Sequence, residues 1–176
     1  MHADTATWDA FAGLFAYPGG QRERLRGEWG PRVLTRFPEL EPALTPLIEL
    51  VEQRGEGECE ELFTRTFDGS AERALELGWH LHGENYARGA LLVRLRAMLR
   101  ANELDEGSEL PDHVSNVLRL IGRVDATTSR ALQEQVLAPA LDKVLVGFGE
   151  DDNPYKHALA GLREALRETD GERSAT

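Results

Sequence analysis

Apolar residues recur at intervals of three and four positions along almost the entire chain, which is the spacing that lines one side of an α-helix. The first such stripe predicts a helix over residues 4–16. That helix ends at Pro18-Gly19-Gly20, because proline and paired glycines do not continue a helix. The pattern therefore predicts a helical start to the chain, with its large aromatic side chains turned inward.

The same periodicity predicts helices through the rest of the chain. Residues 21–56 are expected to form short helices interrupted by prolines. Longer helices are predicted at 58–67, 71–82, 84–101, from the Leu110–His113 segment onward, at 126–148 with a division near Pro139, and from Asn153 onward. No run of alternating β-branched residues predicts a strand. We expect one all-α domain over residues 1–169, a bundle of about seven or more helices, followed by a polar tail at 170–176.

Two different faces are expected on the predicted helix at 71–82. Leu75, Trp79 and His82 follow an apolar spacing, whereas the polar positions Glu72, Glu76 and His80 follow another. On this interpretation His82 packs inward and His80 faces solvent. Two histidines two positions apart on a helix point about 200° away from each other, so we do not expect them to share a metal ion.

Composition narrows the class of function. The net charge of −11 argues against a nucleic-acid partner and favours a basic or polar one. Cys59 is the only cysteine, so no internal disulfide is possible. The N-terminus does not resemble a secretory signal, and no apolar run approaches the length that spans a bilayer. We therefore expect a cytoplasmic protein without direct membrane insertion.

The chain lacks the short motifs of common enzymes, including phosphate-binding glycine loops, nucleophile elbows and zinc-protease helices. Four carboxylates near predicted helix ends, Asp68, Glu84, Glu109 and Asp112, are expected to cap helices rather than to act as acid and base. These observations predict a protein that is not an enzyme and that binds no metal or cofactor stably.

Several short blocks occur in an order typical of one family. They are Leu14-Phe15-Ala16-Tyr17-Pro18, Phe67-Asp68, His80-Leu81-His82-Gly83-Glu84, Arg88-Gly89 and Glu109-Leu110-Pro111-Asp112-His113. Together they resemble the nitrate reductase delta-subunit (NarJ-type) chaperones, within the wider TorD/DmsD-like group. The likeness covers nearly the whole chain, although Phe63 stands where the family usually has a tyrosine.

The resemblance implies a chaperone that binds the N-terminal segment of the catalytic (alpha) subunit of a molybdenum enzyme. Such a protein holds its client until the molybdenum bis-guanine dinucleotide cofactor is inserted. We expect the peptide site to be an apolar groove with an acidic rim, where the Asp68, His82 and Leu110–His113 segments meet. The candidate residues are Phe67, Asp68, His80, His82, Glu84, Arg88, Glu109, Leu110, Pro111, Asp112 and His113.

Three alternatives stay open at the level of sequence. The client could be a molybdoenzyme acting on another substrate than nitrate. The chain could also be a small helical enzyme that uses Asp68, Glu84 or His113, which turnover would reveal. Finally, it could be a structural subunit, which would then be present in the purified mature enzyme.

Overall fold

Helices and short helical turns make up most of the chain, as the apolar periodicity predicts. The structure, a computed structural model, describes the backbone of residues 5–174 and the side chains of residues 5–168. The helices are α1 (Thr5–Leu14), α2 (Arg22–Arg24), α3 (Gly30–Arg36), α4 (Glu41–Gln53), α5 (Glu56–Phe67), α6 (Leu77–His82), α7 (Tyr86–Ala101), α8 (Val114–Ile121), α9 (Ala126–Leu132), α10 (Ala138–Phe148) and α11 (Pro154–Ser174). Within the described residues there is no strand, so the all-α prediction is confirmed.

Side-chain caps start several of these helices. Asn85 accepts hydrogen bonds from the N–H groups of Ala87 and Arg88, and Asp125 does the same at the start of α9. Asn153 accepts from the N–H of Tyr155 and donates to the hydroxyl of Thr66. These bonds satisfy N–H groups that the first turn of a helix leaves without partners. The start predicted at Asn153-Pro154 is confirmed.

Prolines act differently from one another along the chain. Pro139 stands at the start of α10, directly after a π-helical turn at Gln133–Leu137, so the predicted division of residues 126–148 is confirmed. Pro46 lies inside α4 and does not interrupt it, contrary to the expectation of short helices there. The missing N–H of a proline costs one helical hydrogen bond, and the packing of Leu44, Leu47 and Val51 in the core offsets that loss.

The predicted helix over residues 71–82 is wrong in its first half. Residues 71–76 form turns and an extended stretch, and α6 begins only at Leu77. Glu76 pairs with His113 as an isolated antiparallel bridge, in which Leu77 N–H donates to Asp112 O at 2.8 Å and Val114 N–H donates to Leu75 O at 2.9 Å. Pairing with a distant segment thus replaces the local hydrogen bonds that a helix would have made here.

One core holds the bundle together. Helix α1 packs on α8, and α11 packs on α4. Between them lies an aromatic group, in which the rings of Phe63, Phe67, Tyr155 and Phe148 contact one another at centroid distances of 5.0–6.4 Å. The backbone of α11 continues to Ser174, so most of the segment 170–176 prolongs this helix. Among the described residues no helix is long and apolar enough to cross a membrane.

Candidate functional site

A cavity of about 390 Å³ opens where the end of α5, the extended stretch at 70–76 and the loop before α8 come together. We call it the acidic cleft. It is lined by Phe63, Phe67, Asp68, Ser70, Ala71, Ala74, Leu75, Glu76, Glu109 and His113. A second hollow adjoins it and shares Asp68; it is lined by Tyr17, Gly57, Glu60, Glu61, Thr64, Arg65, Asp68 and Gly69. The two form one concave surface with aromatic rings at its base.

Tertiary hydrogen bonds hold the walls of the acidic cleft in place. The indole N–H of Trp79 donates to Ala71 O at 2.9 Å. Arg73 donates from Nε to Gly147 O at 3.1 Å and pairs with Asp151 at 2.9 Å. The extended stretch is therefore fixed to α6 on one side and to α10 on the other, which keeps the cleft open without a ligand.

Negative charge dominates this concave surface. Five carboxylates line it, and Arg65 is its one cationic side chain among the described residues. Within the described part of the chain, Asp68, Glu76 and Glu109 form no salt bridge. Burial raises the pKa of Glu109, and the nearby charges of Glu76 and Asp68 raise it further. A cation entering the cleft would relieve that repulsion.

Tyr17 joins the hollow to the rest of the molecule. Its ring packs edge-on against Phe63 at a centroid distance of 5.7 Å. Partial burial raises the pKa of the Tyr17 hydroxyl, as do the charges of Glu60 and Asp68. This residue also lines a larger groove of about 1110 Å³, which runs between α1, residues 21–35 and the loop at 106–109. The acidic cleft and this groove are continuous, since Glu109 lines both.

His113 forms the floor of the acidic cleft as a neutral ring. Its side chain is 4% exposed, and burial lowers its pKa to about 4. Nδ1 accepts from the N–H of Ser115, the cap that starts α8, so the neutral ring carries its proton on Nε2. An uncharged floor does not oppose a cationic ligand.

The buried state of His113 predicts how stability depends on pH. Because its pKa falls from 6.5 unfolded to about 4 folded, the unfolded chain binds one more proton between these values. The free energy of unfolding should therefore fall with decreasing pH through this range, by about 1.4 kcal/mol per unit from this group alone. His113→Asn keeps a capping side chain and lacks this proton, so its unfolding free energy should vary less steeply with pH. Urea denaturation at pH 4.5 to 6.5 measures both slopes, and equal slopes would contradict the assignment.

Asp112 lies behind the cleft rather than on its wall. Its side chain is fully buried and pairs with Arg88 at 3.1 Å, while its Oδ1 has no hydrogen-bond partner among the described residues. A Cβ on Gly78 would come within 2.6 Å of Asp112 Oδ2, so glycine leaves the room that this pair needs. The sequence placed Asp112 inside the first turn of the next helix, but α8 begins after it, at Val114.

The other candidate residues are divided between the cleft and its surroundings. Phe67, Asp68, Glu109 and His113 line the cleft together. His80, His82, Glu84, Arg88, Leu110, Pro111 and Asp112 do not line it. His82 and Glu84 are exposed near the turn before α7, Leu110 is partly exposed, and Pro111 is buried.

The expected orientation of the two neighbouring histidines is wrong. His80 is half-buried and its Nε2 lies 2.7 Å from Ala74 O, whereas His82 is exposed. Burial is also the main reason that the pKa of His80 is lowered. The reversal follows from the late start of α6, because the short helix turns a different face inward than a helix over the whole of 71–82 would.

Four residues of the concave surface were missed as site residues from the sequence. Glu76 had been assigned to a solvent-facing stripe, and Glu60, Phe63 and Tyr17 had no assigned role in the site. A usable signal was present in the spacing of Phe63 and Phe67, which places both rings on one face of α5.

The fold and site together define an all-helical binding protein. Among the described residues no group of three or more His, Cys, Asp or Glu side chains converges as metal ligands. The model of the nitrate reductase delta subunit family matches residues 36–161, which is more than half of the chain. The chain belongs to this family, which is known as a family of chaperones rather than catalytic enzymes. No curated protein matches it.

Proposed function

We propose that this protein is a chaperone for the catalytic subunit of a nitrate reductase-like molybdenum enzyme. On this proposal it binds the N-terminal segment of that subunit in the cytoplasm and assists insertion of the molybdenum bis-guanine dinucleotide cofactor and assembly of the enzyme. It keeps no cofactor of its own. Family membership supports the chaperone role, and the acidic cleft supports the mode of binding.

The observation that carries the proposal is the set of unpaired carboxylates around an aromatic floor. Asp68, Glu76 and Glu109 stand at the cleft without salt-bridge partners among the described residues, and Phe63 and Phe67 lie beneath them. A peptide with both lysine or arginine and apolar side chains matches such a surface. Its apolar side chains supply affinity, and its charges set the orientation and the rate of association.

The cleft alone is short, whereas its continuation is long enough for a peptide of several turns. The larger groove beyond Tyr17 and Glu109 has alanine and glycine on the α1 side, at Ala6, Ala10 and Gly13. Small side chains there leave space for the backbone of a ligand. We therefore propose that the client segment enters at the acidic cleft and extends toward α1.

Removing the charges of the cleft should weaken peptide binding. With the N-terminal 20 or so residues of a molybdoenzyme catalytic subunit as probe, Asp68→Asn and Glu109→Gln should each lose about tenfold in affinity, because a lost charged partner costs about 1.5–3 kcal/mol. Glu49→Gln, which removes an equal charge from the exposed face of α4, is the matched control. Fluorescence anisotropy in low and high salt gives the affinities, and wild-type affinity should fall with salt.

Two results would contradict this use of the cleft. One is equal loss in Glu49→Gln and Asp68→Asn, since net charge alone would then explain binding. The other is tight binding of a scrambled peptide of the same composition. The role in maturation has a separate test: cells lacking the protein should accumulate catalytic subunit with little molybdenum cofactor, measured by elemental analysis of the purified subunit. The chaperone itself should be absent from the mature enzyme.

A further inference from the structure

Helix α7 carries apolar residues on two opposite faces, and only one of them is packed. Leu95 and Leu99 are fully buried against the body of the protein. On the other side Tyr86 is 92% exposed and Val93 is 69% exposed, and Gly89, Ala90 and Ala97 lie exposed between and beyond them. A surface helix ordinarily places polar residues on its outer face. An exposed apolar face of this kind marks an interaction surface.

We propose that this face of α7 binds the same face of a second copy of the chain, with the two helices antiparallel and a two-fold axis near Val93. In that arrangement each residue meets the one equally far from Val93 on the other side. Gly89 lies four positions before Val93 and Ala97 four positions after it, so two small residues face each other and the backbones can approach closely.

The same symmetry pairs an aromatic ring with a cation. Tyr86 precedes Val93 by seven residues and Arg100 follows it by seven, about 10 Å along the helix in each direction. Tyr86 of one copy therefore lies against Arg100 of the other, where a guanidinium over the ring is favourable. Both side chains are exposed in the single chain, and Arg100 forms no salt bridge within the described residues.

Charge complementarity favours a second copy over other occupants. Helix α7 contains four arginines and no carboxylate, in a protein whose net charge is −11. Glu84, just before the helix, is exposed and unpaired among the described residues, and the antiparallel arrangement brings it toward the Arg100 end of the other α7. The N-terminus of each helix then also lies beside the C-terminus of the other, so the helix dipoles attract.

A contact made by one helix from each copy lies at the small end of specific interfaces. We therefore expect dissociation in the micromolar range, with dimers at high concentration and monomers on dilution. This surface is separate from the acidic cleft, since none of its residues lines that cavity. Dimerisation and peptide binding can thus be tested independently.

Sedimentation velocity from low micromolar to near-millimolar concentration tests the dimer. Wild type should shift from monomer to dimer over this range. Val93→Glu should weaken dimerisation about hundredfold or more, because it buries two like charges facing each other at the axis. Val146→Glu is the matched control, since Val146 is 79% exposed on another helix, α10, and this variant should dimerise as wild type does.

A charge reversal distinguishes this interface from general stickiness. Glu84→Arg should weaken dimerisation, and adding Arg100→Glu to it should restore part of the loss, because the opposite charges then meet again. Circular dichroism verifies that each variant is folded. The proposal is overturned if wild type stays monomeric at near-millimolar concentration, or if Val93→Glu dimerises as strongly as Val146→Glu.

Discussion

Replacing Arg88 by methionine should lower the free energy of unfolding by about 3–5 kcal/mol, because it leaves a buried carboxylate without its counter-charge. Asp112 is fully buried, and the Arg88 side chain beside it is only 17% exposed. One oxygen of Asp112 already lacks a hydrogen-bond partner among the described residues, so Arg88 is the main compensation for its charge. Methionine retains most of the apolar stem and removes the guanidinium, which isolates the electrostatic loss.

Urea denaturation followed by circular dichroism measures the effect. Arg54→Met is the matched control, since Arg54 pairs with Glu58 on the surface with both side chains more than half exposed, and such a pair contributes about 0.3–0.5 kcal/mol. Adding Asp112→Leu to Arg88→Met should recover a large part of the loss, because no buried charge is then left alone. If Arg88→Met costs no more than Arg54→Met, the ion pair does not stabilise the fold as described.

The second large effect is expected at Gly147, where α10 passes close to the wall of the acidic cleft. A Cβ at this position would lie 2.4 Å from the carbonyl oxygen of Glu72 and 2.9 Å from its carbonyl carbon. Backbone atoms cannot rotate aside as the end of a side chain can, so Gly147→Ala must move α10 or the extended stretch. We expect a loss of about 1–3 kcal/mol in stability. Because Arg73 donates to Gly147 O, the displaced stretch should also bind the client peptide more weakly.

Gly57→Ala provides the comparison for that substitution. Gly57 lies in α5 with nothing within 4 Å of an added Cβ. Alanine there should stabilise the protein by about 0.4–1 kcal/mol, since it restricts the unfolded chain without a clash in the folded one. Thermal melting of both variants shows the contrast. A neutral or stabilising Gly147→Ala would mean that α10 and the extended stretch are not in close contact.

Most helices could be predicted from the sequence because their signals are local. The Asn153-Pro154 start and the division at Pro139 depend only on neighbouring residues, and both are confirmed. The segment 71–76 could not be predicted in this way. Its apolar spacing suits a helix, but its hydrogen bonds go to residues 112–114, more than thirty positions further along the chain. Periodicity carries no information about such a partner.

The candidate site shows the same limit. Phe67, Asp68, Glu109 and His113 were grouped through a family resemblance, and the structure brings them around one cavity. Asp112 belongs to the same sequence block, yet it faces the interior, because the bridge between Glu76 and His113 fixes which way successive side chains point. Whether a residue in an irregular segment lies outside or inside is decided by such tertiary pairing, and no spacing rule in the sequence reports it.

That bridge also determines when the protein can begin to work. The walls of the acidic cleft come from two stretches of chain separated by α6, α7 and the loop after them, and neither wall has a partner until both have been synthesised. During translation, a nascent chain that has not yet emerged beyond Val114 has no cleft, however well its first helices have formed. Binding capacity therefore arises in one step, late in synthesis, and a half-made chaperone cannot capture its client.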